Sequence, residues 1–444
     1  MITVVYEDKF ETNLVPVNAL DYPATTGRTL FYNIDGSGQC QKLNNELIFG
    51  SNVNTIVCDA ESRSGSGRVR TKGRIHYLKF QCQLDVGTTW QQSYLLGTVN
   101  NNVAADGWWA YGVPVSGFLI HEGTGTIRTS SYNHGVGLSV GVYQLPSYIE
   151  GNVAANNSIV ELALYERGNA GGGVIGYVRL DSGPWKIVFL ENLSATRGAL
   201  SSRRGDGENI RAYKQMGTYD TDYQPTPLVQ QSFATVIGPS DGTGNSETGG
   251  GSVTEIQSGS LAITASKLQM SADGAGLVVF DIGVSDNWIG HVTSTVYNGS
   301  PSAVILRYAD ASNYLYCDLN STTDAMRLVE VVAGAATVLV TKAFGPGPTD
   351  NYDLPDGTTV YWTFRIFNAT IHVTFERGAL HDNYVTSTTT RFNTSTKCGV
   401  MVNKGAGVNS STASNLIVFA TTQDLPIGSS PVDDGVIMMM GNSF

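Results

Sequence analysis

Charge is scarce in these 444 residues: Asp, Glu, Lys and Arg together make up 15% of the chain, against about 25% in a typical soluble domain. The helix formers Lys and Glu are correspondingly thin, and no stretch of about a dozen residues keeps a 3.6-residue apolar period, so helices beyond single turns are not expected. No apolar run approaches the ~20 residues of a membrane span, and the opening MITVVYEDKFETN has neither the basic start nor the apolar core of a secretory leader. The chain is therefore expected to be made soluble, without Sec-type export. Basic residues form no cluster beyond RGALSSRR at 197–204, and the net charge is -11. Phosphate neutralisation needs concentrated positive charge, so nucleic acid is not an expected partner. Cysteine is also rare: Cys40, Cys58, Cys82, Cys317 and Cys398 are odd in number, far apart and without a CxxC pair. That excludes a disulfide framework and a zinc knuckle, and all five are read as reduced packing residues, Cys82 standing on the apolar face of the alternating run HYLKFQCQLDV.

What is present is turn and strand chemistry. The 51 glycines are spread along the chain with no three-residue period, so they mark turns and bulges. In YWTFRIFNATIHVTFERG, Trp362, Phe364 and Ile366 share one face, Asn368-Ala369 can reverse the chain, and Ile371, Val373 and Phe375 resume the alternation. Two prolines in TDYQPTPL at 221–228 interrupt pairing between two strand-rich halves. Each half, of about 200 residues, is long enough for a two-sheet sandwich. The fold class is thus all-β, with two tandem antiparallel β-sandwiches at 1–222 and 228–425, followed by a linker and an apolar strand at 426–444.

The second half, from SFATVIGPSDGTGN through AVILRYADASNYLYCDL and MRLVEVVAGAATVLVT to GVMVNKGAGVNSSTASNLIVF, resembles the concanavalin A-like, laminin-G-like jelly roll that recurs in bacteriophage tail proteins. The piece that carries most of the likeness is Arg307-Tyr-Ala-Asp310-Ala-Ser-Asn313-Tyr314, similar to a family hairpin with an Arg on one strand, an Asp and an Asn at the turn, and an aromatic on the return. Residues 228–422 are covered, and the motif identifies fold better than ligand. The first half is similar only in outline, through YEDKFETNL and the strand pair in GGVIGYVRLDSGPWKIVFLEN. The resemblance implies a virion component, in a tail fibre, tail tip or similar position.

Glycanases of that superfamily use Glu-x-Asp-x-x-Glu on one strand to bring two carboxylates to retaining spacing, and the chain contains no such run. Its nearest approach, Glu7-Asp8-Lys-Phe-Glu11, has the wrong spacing and reads as surface acids at the terminus. A binding signal lies in DGWWAYG: Trp108, Trp109 and Tyr111 are flat aromatics in a turn-rich segment, and Tyr132 and His134 in TSSYNHG could add polar contacts to a sugar. Packing under a loop or into a subunit contact is the commoner role of paired tryptophans. SDGTGN at 240–245 offers Asp241 and Asn245 as calcium ligands, without EF-hand spacing and with the residues any turn uses. No cofactor is expected otherwise.

The chain finishes on Val436-Ile-Met-Met-Met440-Gly441-Asn442-Ser443-Phe444, which resembles the first strand and nucleophile turn of SGNH/GDSL-type hydrolases. The helix, the distal Asp-x-x-His pair and the receiving sheet of those enzymes are missing, so Ser443 is a nucleophile only if a hydrolase domain follows. Alternatively the strand completes a sandwich, pairs with a neighbouring subunit, or forms an apolar assembly tail, since left exposed it would aggregate. The expected function is a noncatalytic phage structural or adhesion protein, homo-oligomeric, binding host-surface polysaccharide or other virion proteins. Two alternatives stand beside it: the adhesin-like front of a larger esterase acting on host polysaccharide, and a capsid decoration protein.

Overall fold

A computed structural model describes residues 2–11, 21–23, 26–27, 29–35, 40–49, 54–59, 72–81, 92–99, 115–121, 126–132, 143–144, 158–167, 174–191, 197–202, 211–233, 252–257, 260–285, 288–320, 325–343, 354–367, 370–377, 380–387 and 390–427. Among them the ordered elements are strands, and every pairing is antiparallel. The all-β class expected from the alternating runs is the class observed.

Among the described residues the strands form four sheets. Sheet I runs in the order Thr26–Gly27, Ile2–Asp8, Arg211–Thr221, Gly73–Gln81, Ile159–Glu166, Val174–Leu180, Trp185–Glu191, Thr422–Gln423, and the hairpin Cys40–Leu43/Glu46–Phe49 joins it along Arg211–Thr221. Sheet II takes the remaining N-terminal strands, from Tyr143–Gln144 through Thr126–Tyr132, Val115–His121, Gln92–Val99, Arg197–Ser202, Asn54–Asp59 and Thr29–Asp35 to Asp21–Pro23. Sheet III is Leu261–Thr264, Lys267–Met270, Thr412–Ala420, Trp288–Val296, Thr358–Phe367, Thr370–Arg377, Leu380–Ser387, with Val229–Gln231 beside Thr412–Ala420. Sheet IV is Ser252–Gln257, Gly274–Asp281, Lys397–Lys404, Ser302–Asp310, Asn313–Asn320, Ala325–Val332, Ala335–Ala343.

Tight turns set the registers. Asn44-Asn45, Asp181-Ser182, Ala265-Ser266 and Ala333-Gly334 each place two consecutive residues at positive φ between paired strands, the geometry whose twist matches that of the strands it joins. The sheets then bury what the alternation aims inward. Sheets III and IV close over Trp362, Phe364, Ile366, Ile371 and Val373 from one side and Val304, Leu315, Leu319, Val400 and Val402 from the other. Cys317 and Cys398 lie in the same core as free thiols, in agreement with their reading as packing residues, and burial pushes both well above the ordinary thiol range.

Sheet I is buried on both faces. Leu78, Phe80, Val160, Leu162 and Leu164 occupy one face, and strands of sheet II approach it. Tyr77, Ala163, Tyr165, Tyr177, Trp185 and Ile187 occupy the other, where they cluster with Phe419, Leu425 and Ile427 of the second half. The chain itself fastens this contact. Thr422–Gln423 pairs with Trp185 and Lys186, Ile187 N–H donates to the Thr421 carbonyl at 2.6 Å, and Trp185 Nε1–H donates to the Ile427 carbonyl at 3.3 Å. One expectation is overturned here: Asp8, read as a surface acid, is buried and paired with Lys42. Its neighbours in sequence are polar, but its partner lies 34 residues away, beyond any local pattern.

Candidate functional site

The family-like hairpin Ser302–Asp310/Asn313–Asn320 is formed in the middle of sheet IV, and its register explains what each of its residues does. A bulge between Ile305 and Arg307 sets Arg307 opposite the core residue Leu315, so the guanidinium enters the sandwich and is buried. There it donates to Asn393 Oδ1, while Ser395 Oγ donates to the Tyr308 carbonyl and accepts the Tyr308 N–H at 3.2 Å. Arg307 therefore clamps the loop at 390–395 onto the strand.

Asp310 is exposed, and its carboxylate accepts the Ser312 N–H at 2.8 Å and the Asn313 amide at 2.8 and 3.0 Å. These donors favour the charged form, first the backbone N–H of Ser312, and hold the carboxyl below its ordinary range. Asn313 Oδ1 in turn accepts the Ala333 N–H at 3.1 Å, and Gly334 N–H donates to the Ser312 carbonyl at 2.9 Å. The Asp310–Asn313 pair thus fixes its own turn and the neighbouring one.

Tyr314 points to the opposite face of sheet IV. Its ring lies 5.8 Å from that of Tyr308 and 5.7 Å from that of Tyr316, tilted by about a third of a right angle in both cases. Tyr308 is buried with Leu277, Val279, Ala303, Ile305 and Met401, while Tyr314 and Tyr316 are partly buried at the border of that cluster. One step along the same face, Asp318 accepts Arg327 Nε–H at 2.9 Å and a second bond from Arg327 Nη2. Burial is the largest influence on Tyr316, pushed up to about 12, with the Asp318 charge adding to it. Burial also outweighs Arg327 at Asp318 and raises that carboxyl, whereas the ion pair raises Arg327. Tyr316, Asp318 and Arg327 were not among the residues expected from the sequence. The alternation in Asn313-Tyr-Leu-Tyr-Cys-Asp-Leu carried the signal, since it sets Tyr314, Tyr316 and Asp318 on one face and Leu315, Cys317 and Leu319 on the other.

Chemically, this face offers two partly buried flat rings next to a fixed guanidinium–carboxylate pair, the combination that stacks on an apolar ligand face and bonds its polar rim. Trp108, Trp109, Tyr111, His134, Asp241, Asn245 and Ser443 lie outside the described residues, and for Tyr132 only the backbone is described, paired with Val115. Among the described residues no group of three or more His, Cys, Asp or Glu could hold a metal ion, and no helix is long and apolar enough to cross a membrane.

No family model matches the chain, and no curated protein matches it. Solved structures similar to it include the carbohydrate-binding module CBM66 from Bacillus subtilis, at 13% identity over 38% of this chain and 94% of that one, with a TM-score of 0.26. The exoplasmic/lumenal domain of VIP36 in its Ca2+/Man3GlcNAc-bound form matches at 12% identity over 38% and 86%, TM-score 0.28. The conserved carbohydrate esterase of Shiga toxin-encoding bacteriophage phi24B matches at 11% over 50% and 100%, TM-score 0.29. At such identities and scores none of them assigns a role to any residue of this chain.

Proposed function

We propose that the chain is a noncatalytic glycan-binding adhesion protein, displayed on a phage virion, with Tyr314 and Tyr316 on the outer face of sheet IV, backed by the buried Tyr308, as its binding surface. The observation that carries this reading is the tyrosine ladder ending beside the Asp318–Arg327 pair. Half-buried rings held by a buried neighbour lose little entropy when a sugar stacks on them, and Arg327 keeps donor capacity for hydroxyls beyond the two bonds given to Asp318. The virion setting is supported by the sequence resemblance of residues 228–422 to tail-protein jelly rolls. Asp318 is engaged by Arg327, which suits a binding role better than acid–base chemistry.

A glycan array probed with the wild-type chain and with Tyr316→Ala and Tyr314→Ala tests the surface. Loss of one aromatic contact is expected to weaken binding by about tenfold, equivalent to about 1.4 kcal/mol. Absence of binding by the wild type, or equal binding by both variants, removes the site.

A further inference from the structure

Lys42 is buried, unlike the other lysines whose side chains are described. Its side chain and that of Asp8 are each 2% exposed, and Nζ lies 2.5 Å from Asp8 Oδ2. Lysine is almost never buried so deeply unless paired, and this pair is set up for more than a salt bridge. Asp8 Oδ1 accepts the Phe10 N–H at 2.8 Å. Phe10 is fully buried and stands at φ 57, a left-handed conformation that is a genuine outlier for a bulky residue and that gathers at functional positions. That conformation brings its N–H onto Oδ1 and leaves its ring 5.6 Å from Nζ. An amine, a carboxyl and a donor for the developing oxyanion are held together away from water, the arrangement that replaces a collision by a positioned reaction.

We propose that Lys42 and Asp8 join in an intramolecular isopeptide bond, tying the end of the first strand to the hairpin strand Cys40–Leu43. At the Nζ–Oδ2 contact a proton passes from the ammonium to the carboxylate. The amine lone pair attacks Cγ, forming the Nζ–Cγ bond and moving the carbonyl electrons onto Oδ1, where the Phe10 N–H receives the charge. A second proton moves from Nζ to Oδ2, the Cγ–Oδ2 bond breaks, and the carbonyl reforms. One water leaves, made of Oδ2 and two protons from Nζ, and no oxidant or co-reactant is needed.

Mass spectrometry of the full chain under denaturing conditions tests it. The expected mass is that of the sequence less one water, with a proteolytic peptide containing both Lys42 and Asp8. Lys42→Met restores the full sequence mass, which a cyclised aspartate would not do. Asp8→Asn expels ammonia in place of water and gives the same final product as the wild type. A wild-type chain at full sequence mass, or a water loss that survives Lys42→Met, overturns the proposal whether or not the variants fold.

Discussion

Replacing Arg179 by Met should destabilise the first sandwich far more than loss of a surface charge would. Glu161 is 1% exposed. Its carboxylate accepts Arg179 Nε–H at 3.0 Å, a bond from Arg179 Nη2 at 2.5 Å, and the Tyr77 hydroxyl at 2.5 Å. The guanidinium also lies 4.7 Å from the centre of the Trp185 ring. Methionine keeps the apolar stem over Trp185 and removes the charge, leaving Glu161 with the Tyr77 hydroxyl in a site that water does not reach.

Breaking a buried pair from one side costs about 3–5 kcal/mol, because the remaining charge stays desolvated. Arg179 is 11% exposed in its side chain, so solvent screening takes little from that figure. For a folding unit of this size, about 2–4 °C per kcal/mol converts the loss to roughly 6–20 °C in Tm. The decisive arm is the second substitution. Glu161→Gln in the Arg179→Met background removes the stranded charge while keeping an acceptor for Tyr77, and is expected to recover at least half of the loss. Calorimetry of wild type, single and double variants measures both steps. A single variant within about 1 kcal/mol of wild type, or a double variant no better than the single, would refute the desolvation argument.

Gly399→Ala should destabilise the second sandwich by about 1–3 kcal/mol, because an added Cβ would stand 2.0 Å from the Val278 carbonyl oxygen, a backbone atom that cannot rotate away; denaturant unfolding checks it. Ile427→Ala removes a side chain buried against the aromatic face of sheet I and should cost about 2–5 kcal/mol, seen as earlier melting of the first sandwich although the substitution lies in the second half. Asp310→Ala should show a pH-dependent penalty. The folded carboxyl is held below its unfolded value, so its contribution is present above the ordinary aspartate range of about 3.9 and fades as pH falls through the folded value. Melting of wild type and variant at neutral pH and in acid should therefore converge in acid.

The strands were legible where one face is buried and the other is polar: the Trp362–Phe364–Ile366 face follows from alternation, and its strand pairs with Thr370–Arg377 as the resumed alternation implied, while the Asn368–Ala369 turn lies outside the described residues. The family hairpin was legible as a motif, but not the work its residues do. Arg307 turns inward because a bulge changes its face, and a bulge leaves no mark in a period-two pattern. Arg327 meets Asp318 through cross-strand register, and Lys42 meets Asp8 across different strands. Each depends on which strands become neighbours, a property of topology that residue types do not encode locally. The polar run Glu-Asp-Lys-Phe-Glu therefore looked like surface, although it holds a buried acid.

The closing segment shows how such non-local placement bears on function. After the last long strand of sheet III, the chain does not end within its own sandwich but adds Thr422–Gln423 to the edge of sheet I and buries Leu425 and Ile427 against Tyr177 and Trp185. Thr363 Oγ1 donates to the Leu190 carbonyl at 3.1 Å, and Arg167 lies 5.8 Å from the Phe419 ring. Sheet III is thus joined to sheet I by strand pairing, apolar burial and polar contacts together, which is more than the weakly apolar interface that permits free domain motion. A pull on a ligand at the tyrosine face of sheet IV would pass through the shared core to sheet III and from there into sheet I. Within sheet I the strand Ile2–Asp8 lies next to the two-residue edge strand Thr26–Gly27, and it is at the end of Ile2–Asp8 that Asp8 meets Lys42. An amide there would hold the strand by a covalent bond where hydrogen bonds alone would unzip one after another.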